Sequence, residues 1–261
     1  MEGTTFEEVF RLYNFDKQIK QALMNSILDA EHHLKSIFAY RFAEEYKGKH
    51  YAYLDINSYS DKEVLNVGFL ISKLSKIINK NKNYPNNSIY YYEKKYKDVP
   101  IWVLVDYLEF GDLVHLIKCL PESLQNKISK DLTSFILDKD NKNKFSPKIM
   151  ISFMENIREV RNICAHNNRL LDFKCRADTK YFKDLHEKND INQNQKRTRT
   201  YSTFINLQCF LSKTEYTILN NTLRKRFKYL SNKVTSIEMN EITKLLGFPD
   251  DWYKKEAMSQ N

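Results

Sequence analysis

The sequence contains few of the residues that usually form tight turns. Only five of its 261 residues are glycine and five are proline. Folds made entirely of β-strands need many such turns, so the composition disfavours an all-β protein. Hydrophobic residues make up 42% of the chain, which is enough for a sizeable core in one large domain or two small ones.

Cysteines are also few, and long apolar runs are absent. The four cysteines are scattered and form no C-x-x-C pair, which predicts reduced thiols and no zinc framework. No apolar run approaches the ~18 residues that a membrane helix needs. The opening residues, MEGTT, are polar and acidic, which predicts no secretory signal peptide. We therefore expect a cytoplasmic protein with no membrane association.

Several catalytic motifs are missing as well. The sequence has no G-x-S-x-G turn for a nucleophilic serine, no glycine-rich loop to hold a phosphate and no H-E-x-x-H zinc motif. Cys164 and His166 are two residues apart on a predicted helix, so they face apart and cannot form a catalytic pair. We expect neither a bound metal nor another cofactor.

Positively charged residues are in excess. Lysine and arginine outnumber aspartate and glutamate by 42 to 33, which gives a formal net charge of +9. A basic surface suits an anionic partner, and nucleic acid is the commonest one. The alternative is that a composition rich in lysine and asparagine reflects coding bias alone. Clustering of the charges in the fold would separate these interpretations.

Helical periodicity runs through most of the chain. Residues 15–46 predict one long helix or two abutting ones, and residues 61–78 predict another. On the second, the residues expected to face inward are Val64, Leu65, Phe69, Leu70, Leu74 and Ile77. Residues 79–98 are polar, and Tyr90, Tyr91, Tyr92 and Tyr96 lie among lysines in this stretch. They predict either a surface that stacks RNA bases or a loop leading into a helix whose tyrosines are half-buried.

The most informative stretch is residues 157–170, which read IREVRNICAHNNRL. A helix is predicted to lead into it, because Ser146-Pro147 is a suitable start and apolar residues then recur every three or four positions. These residues are Met150, Phe153, Met154, Ile157, Val160 and Cys164. Asn167-Asn168 is a suitable end of this helix.

Three polar side chains of this stretch have two competing interpretations. Asn162 and His166 share the helix face opposite the apolar stripe, and Arg161 falls at the edge of the stripe. In the first interpretation they are ordinary surface groups, since cations are favoured near the C-terminus of a helix. In the second they form a ribonuclease site, with Arg161, Asn162 and His166 as its catalytic residues.

The pattern R-N-x-x-x-H, formed by Arg161, Asn162 and His166, resembles the signature of HEPN-domain nucleases. Two further strings accompany it: PIWVLV at residues 100–105, followed by FGDL at 110–113, and LLGFPDDW at residues 245–252. Together they resemble the Abi-like (AbiD/AbiF) family of bacterial abortive-infection proteins. The resemblance extends from about Asn14 to Trp252.

This resemblance implies an all-α fold, a helical bundle of HEPN type with additional helices, in a single domain over residues 1–261 with a core of about 14–252. It also implies RNA cleavage without metal, often at a site shared between two copies, and a role in killing or stalling a phage-infected cell. An antitoxin, either RNA or protein, is then a further candidate partner. An acidic residue recurs on the first helix of the family, which favours Glu31 as the structural partner of Arg161 over Glu31 as a simple surface carboxylate.

The proposed chemistry also follows from the side chains themselves. RNA carries its own nucleophile, the 2′-hydroxyl, and an imidazole can act as base or acid near neutral pH. His166 would move the proton, Arg161 would hold the phosphoryl oxygens, and Asn162 would orient either group. The product should be a 2′,3′-cyclic phosphate. Acid and base are two functions, whereas the motif supplies one histidine, so we expect a homodimer.

Other basic residues are candidates for binding the RNA substrate. Arg158 and Arg169 flank the motif, and Lys196, Arg197 and Arg199 lie in residues 189–200, called here the basic loop. This loop is polar and is expected to be mobile. It would either clamp a phosphate backbone or be an ordinary solvated loop. Residues 215–234 carry a further candidate basic face on a predicted helix.

Two other functional classes remain open. A non-catalytic RNA-binding or sensor protein would use the same basic faces, with Arg161 and His166 in structural roles. A helical partner of a nucleotidyltransferase is a weaker alternative, because such partners are usually shorter.

Overall fold

The computed structural model describes residues 4–135 and 144–259, and this part of the chain forms eleven α-helices. They are α1 (Phe6–Glu45), α2 (Val64–Asn81), α3 (Ser88–Tyr96), α4 (Ile101–Leu104), α5 (Phe110–Cys119), α6 (Glu122–Leu132), α7 (Pro147–Ala165), α8 (Lys183–His186), α9 (Thr200–Asn206), α10 (Lys213–Ser231) and α11 (Met239–Leu246). Residues 1–3 of the polar N-terminal stretch, like residues 136–143 and 260–261 of the predicted domain, lie outside the described residues.

The described residues also form eight short 3-10 helices, at Ala52–Leu54, Ile56–Ser58, Asp61–Glu63, Val105–Tyr107, Thr133–Phe135, Glu187–Asn189, Leu207–Cys209 and Trp252–Lys254. Extended pairing within the described ranges is confined to one isolated antiparallel bridge, between Lys174 and Arg199. The predicted all-α class is therefore confirmed, and the HEPN type of the bundle stays a prediction. In the same ranges, no helix combines the length and the low charge that crossing a lipid bilayer requires.

Helix α1 begins at Phe6 rather than at the predicted residue 15. The reason is a capping box, in which the Glu8 carboxylate accepts from the Thr5 backbone N–H and the Thr5 hydroxyl accepts from the Glu8 N–H. In the sequence, the pattern T-x-x-E at residues 5–8 indicates this capping box. The other carboxylate oxygen of Glu8 accepts from the backbone N–H groups of Thr235 and Ser236. These bonds lower the pKa of Glu8 to about 2.

The predicted inward face of α2 was partly wrong. Val64, Leu65 and Phe69 are 53%, 81% and 74% exposed. The buried residues are instead Val67, Leu70, Leu74 and Ile78. Leu65 and Phe69 lie on the opposite side of the helix from this set, since each residue adds 100° of rotation. The helix carries two apolar stripes, and periodicity alone cannot decide which of them is buried.

Residues 79–98 contain helix α3, whose start is capped by the Asn87 side chain accepting from the Tyr90 N–H at 2.8 Å. Tyr90 and Tyr92 are half-buried, as the second of the two predicted alternatives requires. Tyr91 and Tyr96 are exposed. A role of these two rings in stacking RNA bases stays a prediction.

The described residues form two compact units. The first comprises residues 4–30, 134–135, 144 and 152–259, and the second comprises residues 31–133 and 145–151. The first unit contains an aromatic cluster in which Phe227 contacts Phe15, Phe248 and Trp252 with ring centroids 4.9 to 5.7 Å apart. The second unit includes a buried hydrogen bond from the Tyr53 hydroxyl to the Val99 carbonyl. The single domain stays a prediction.

Candidate functional site

Helix α7 carries the candidate site and has the predicted start. The Ser146 hydroxyl accepts from the Ile149 N–H at 3.4 Å, and Pro147 is the first helical residue. Five residues of the predicted stripe are buried, namely Met150, Phe153, Met154, Ile157 and Val160. Cys164, the sixth, is only partly buried. Because one face of α7 is fixed in a core, the opposite face has a defined direction.

The end of α7 is equally well defined. Asn167 adopts a left-handed conformation with φ 52°, and its N–H donates to the Cys164 carbonyl at 3.3 Å. The Asn168 N–H donates to the Ile163 carbonyl at 3.0 Å. These two bonds are those of a Schellman motif, which confirms the predicted end. His166 is the last residue before this turn, so its position is fixed by backbone hydrogen bonds.

Residues 161–171, called here the helix tip, are held from outside by two residues of α1. The Lys20 Nζ lies 2.9 Å from the Asn167 Oδ1 and 3.1 Å from the Asn168 carbonyl. It also lies 3.0 Å from the Asp16 Oδ2. The Asp16 Oδ1 accepts from the Leu170 and Leu171 N–H groups at 3.0 and 2.9 Å.

The Asp16–Lys20 pair is buried and joins segments about 150 positions apart in sequence. A buried ion pair is favourable only when its remaining hydrogen-bonding capacity is also satisfied, and here backbone groups of the helix tip do this. Helical periodicity does not reveal this contact. The sequence does contain an indication of it, because Asp16 and Lys20 are two opposite charges four residues apart on an otherwise apolar helix face.

The three predicted catalytic residues differ in exposure. Asn162 and His166 are exposed, and Arg161 is half-buried, in agreement with their predicted places around α7. The Nε of Arg161 is buried and has no hydrogen-bond partner in the described part of the chain. A buried donor of a charged group without a partner is costly, which makes an anion a favourable addition. An exposed imidazole and a guanidinium whose Nε has no partner among the described residues thus lie within about 1.5 turns of one helix.

The flanking cations are placed differently from one another. Arg158 forms an ion pair with Glu155 at 2.6 Å. Arg169 is exposed at the helix tip. Because Arg158 is already paired, Arg169 remains the better candidate for a second phosphate contact. On the same helix, Glu159 accepts from the Arg176 backbone N–H at 3.0 Å, which connects α7 to the following segment.

The basic loop is fixed to its surroundings through two of its three cations. Arg197 is 8% exposed, and its guanidinium donates to the carbonyls of Thr179 and Gln193, both at 2.9 Å. It also donates to the Gln195 carbonyl. Arg199 pairs with Asp172 at 2.9 Å. These contacts give Arg197 and Arg199 structural roles, and their predicted binding of substrate stays untested.

Lys196, the third cation of the basic loop, is exposed. Within the loop it is therefore the cation most accessible to an anion. The predicted mobility of the loop also stays a prediction.

Glu31 is buried in the second unit, 7% exposed. Its Oε1 lies 3.0 Å from the Lys35 Nζ, one turn further along α1. Its Oε2 is buried and has no hydrogen-bond partner among the described residues. The predicted pairing of Glu31 with Arg161 stays a prediction.

Two other reactive side chains have structural roles. The Nδ1 of His186 accepts from the Phe182 N–H at 2.9 Å, so its Nε2 carries the proton and faces the Asn206 Oδ1 at 3.2 Å. Burial lowers the pKa of His186 to about 4, so this ring is neutral at physiological pH. Burial also raises the pKa of the Cys164 thiol to about 12, which makes it a poor nucleophile at neutral pH.

The four cysteines are free thiols, as predicted. Within residues 4–135 and 144–259, no group of three histidine, cysteine, aspartate or glutamate side chains lies close enough to hold a metal ion.

The fold and the site together define an all-α protein that presents Arg161, Asn162 and His166 at the end of a fixed helix. The family model described as Abi-like protein matches residues 1–172, about two thirds of the chain. The chain therefore belongs to the Abi-like protein family, which links it to abortive infection in phage defence. No curated protein and no solved structure matches the chain. The matched region ends just after the helix tip, so it includes all three candidate residues.

Proposed function

We propose that this protein is a metal-independent endoribonuclease of the abortive-infection type. The observation that carries the proposal is the helix tip, where an exposed His166 lies on the same helix as the Arg161 Nε, a donor with no partner in the described ranges. The two charges of Asp16 and Lys20 hold the backbone of this tip in place. Precise positioning of this kind is a large part of catalysis when the nucleophile already belongs to the substrate.

The reaction needs two proton transfers and one site for negative charge. One imidazole removes the proton of the 2′-hydroxyl, whose oxygen then forms a bond to the adjacent phosphorus. The bond from phosphorus to the 5′-oxygen breaks, and this oxygen takes a proton from an acid. The products are a 2′,3′-cyclic phosphate and a 5′-hydroxyl. Arg161 stabilises the charge on the phosphoryl oxygens, and Asn162 orients the phosphate or the imidazole.

A second copy of the chain would supply the second histidine. The first turns of α1 support such a homodimer, because Phe6, Val9, Phe10 and Tyr13 form a stripe that is 54% to 85% exposed. Tyr13 and Lys20 are seven residues apart and share a helix face. The helix tip contacts α1 at Asp16 and Lys20, whereas Tyr13 is exposed. Two copies that pack through this stripe would therefore bring their helix tips close together.

In the cell, this activity would destroy RNA in the cytoplasm and so stall an infected host. An antitoxin, RNA or protein, is a candidate partner that would restrain it before infection. The family membership supports this role.

The catalytic part of the proposal is tested with purified protein, total RNA and EDTA. We expect the wild type to cleave RNA in the presence of the chelator and to leave 2′,3′-cyclic phosphate ends. We expect His166→Ala to be slower by about 100- to 10,000-fold, the usual contribution of general acid–base catalysis. His32→Ala is the matched control, because His32 is another exposed histidine on a helix. Loss of wild-type cleavage on chelation would contradict the metal-free mechanism.

The dimer is tested by introducing charge into the α1 stripe. We expect the double variant Phe6→Glu/Phe10→Glu to sediment as a monomer and to lose cleavage. The double variant Leu65→Glu/Phe69→Glu is the control, since these residues are also apolar, exposed and four apart on a helix. Mixing His166→Ala with wild type would also lower activity by forming mixed dimers. A wild-type monomer that cleaves RNA at full rate would overturn this part.

A non-catalytic RNA-binding or sensor protein is the second candidate, and the net charge of +9 favours it independently of the helix tip. A wild type that binds RNA and never cleaves it would establish this alternative.

A further inference from the structure

A groove with strongly positive walls lies in the first unit, between the second half of α10 and the C-terminal segment. It has a volume of about 610 Å³, and its lining residues include five cations and no carboxylate. These cations are Arg224, Lys225, Lys228, Lys254 and Lys255. We call this feature the basic groove. It lies wholly beyond residue 172, where the match to the family model ends.

The walls of the basic groove are held together by hydrogen bonds. The Asn221 side chain donates to the Met258 carbonyl at 3.0 Å and accepts from the Met258 N–H at 2.9 Å. Arg224 donates to the carbonyls of Trp252 and Lys255 at 3.1 and 2.6 Å. Its guanidinium also lies 4.6 Å from the centre of the Trp252 ring. The C-terminal segment is thus fixed on α10 and is part of the site.

The cations of the groove are only partly neutralised. Lys254 pairs with Asp251 at 2.9 Å and Lys255 pairs with Asp190 at 3.5 Å. Lys225 and Lys228 are exposed and form no ion pair within the described residues. The one carboxylate of α10, Glu215, is used at the start of the helix in a capping box with Ser212. The second half of α10 therefore has no acidic side chain of its own helix beside it to balance its positive charge.

The preference of cations for the C-terminus of a helix accounts for part of this pattern. It explains Lys228, which lies in the last turn of α10. It does not explain Lys254 and Lys255, which belong to a different segment and face the same groove. Cations that converge on one groove from two segments are typical of a site for a polyanion.

We propose that the basic groove binds the phosphodiester backbone of RNA at a distance in sequence from the cleavage site. The choice of RNA among polyanions rests on the proposed nuclease function. Lysine side chains bind phosphates as point charges and carry little sequence information, so this contact increases the affinity for RNA of any sequence. The basic groove would then recruit the substrate, whereas the helix tip cleaves it.

The test is a binding measurement on the His166→Ala background, so that the RNA stays intact. Fluorescence anisotropy follows the binding of a labelled RNA, used both single-stranded and as a duplex, over a range of salt concentrations. We expect Lys225→Glu/Lys228→Glu to weaken binding at least about tenfold. Replacing both lysines should also reduce the salt dependence by about 1.4 in log–log slope for single strands, from ~0.7 per phosphate contact.

The matched control is Lys76→Glu/Lys80→Glu, which changes the net charge equally with two exposed lysines on α2. An equal loss of affinity in this control would overturn the basic groove as a site, because net charge alone would then explain binding. Lys225→Gln/Lys228→Gln repeats the test without introducing acidic side chains, and thermal melts verify that all variants fold. Competition by polyglutamate as strong as that by unlabelled RNA would overturn RNA as the ligand.

The two proposals fail in distinguishable ways. If the groove variants bind RNA normally while the wild type cleaves it, the basic groove is wrong and the nuclease stands. If the groove variants lose binding while the wild type never cleaves, the basic groove stands and the nuclease is wrong.

Discussion

The helix tip and the basic loop each contain an arginine that the sequence predicts to bind RNA, namely Arg161 and Arg197. The two arginines differ in their hydrogen bonds. Arg197 of the basic loop donates to several carbonyls around it. Arg161 of the helix tip has a buried Nε with no partner among the described residues. A cation whose donors are already used stabilises the fold, whereas one with a buried free donor favours an incoming anion. Hydrogen-bond satisfaction, rather than charge, separates the two regions.

The largest expected effect is at the Asp16–Lys20 pair that holds the helix tip. Asp16→Ala removes the partner of a buried ammonium and two backbone contacts, so we expect a loss of about 3–5 kcal/mol in the free energy of unfolding. Urea denaturation measures it. Asp16→Asn keeps an acceptor for the two N–H groups and should lose less. Lys17→Ala, at an exposed neighbour, is the control and should be nearly neutral.

The next effect directly compares the two arginines. We expect Arg161→Ala to lower the single-turnover rate of RNA cleavage about 100- to 1,000-fold, as for loss of one donor to a developing oxyanion, with little change in stability. We expect Arg197→Ala to lower stability by about 3 kcal/mol, because it leaves carbonyls unpaired, and to leave the rate per folded molecule unchanged. The opposite pattern would reverse the assignment of the two regions. Arg176→Ala, at an exposed arginine, is the control.

A third effect is the pH dependence of stability next to the basic loop. The Tyr181 ring stacks on the His186 ring. The guanidinium of Arg197 lies over the Tyr181 ring, 5.6 Å from its centre. Burial, followed by the charge of Arg197, lowers the pKa of His186 to about 4. The unfolded state, with a pKa of about 6.5, therefore binds the proton first as the pH falls.

His186 thus makes its full contribution above pH 6.5, and this contribution declines between pH 6.5 and about 4. The loss should approach about 3 kcal/mol, from ~1.4 kcal/mol per pKa unit. Chemical denaturation of the wild type and of His186→Phe across this range measures it. We expect the variant to be less stable at pH 7 and to show a flatter dependence on pH. An equally steep dependence in the variant would assign the effect to other groups.

The smallest effect concerns the contact of the basic loop with the end of α11. Gly247 has φ 81°, and a Cβ there would lie 2.7 Å from the Cβ of Arg199. We expect Gly247→Ala to lose about 1–2 kcal/mol through the left-handed backbone and this overlap. Gly68→Ala is the control, because Gly68 lies within α2 with open space around it, and it should gain about 0.5–1 kcal/mol. Thermal melts of both variants would separate these opposite signs.

The local features of the site could be predicted from the sequence. The start of α7 at Ser146-Pro147, its buried stripe and its end at Asn167 depend on residues within a few positions of one another. The exposure of Asn162 and His166 followed from the same periodicity. Features of this kind are encoded by spacing, and spacing is visible in one sequence.

The remaining features depend on contacts between distant segments. The hold of Asp16 and Lys20 on the helix tip joins residues about 150 positions apart. The burial of Arg197 depends on backbone carbonyls such as that of Thr179, which accepts from its Nε. The direction in which these carbonyls point cannot be predicted from the sequence. The buried face of α2 was mistaken because two apolar stripes compete on one helix, and only tertiary packing selects one of them.

The attachment of Met258 to Asn221 has a practical consequence for handling the protein. Shortening the chain to residue 256 would remove both hydrogen bonds. The hold of α10 on Lys254 and Lys255 would then depend on Arg224, which donates to the Trp252 and Lys255 carbonyls. If the basic groove binds RNA as proposed, a polyhistidine or acidic tag fused at this end would alter the apparent affinity for RNA. A tag at the other terminus, or one cleaved before assay, would leave the groove in its native form.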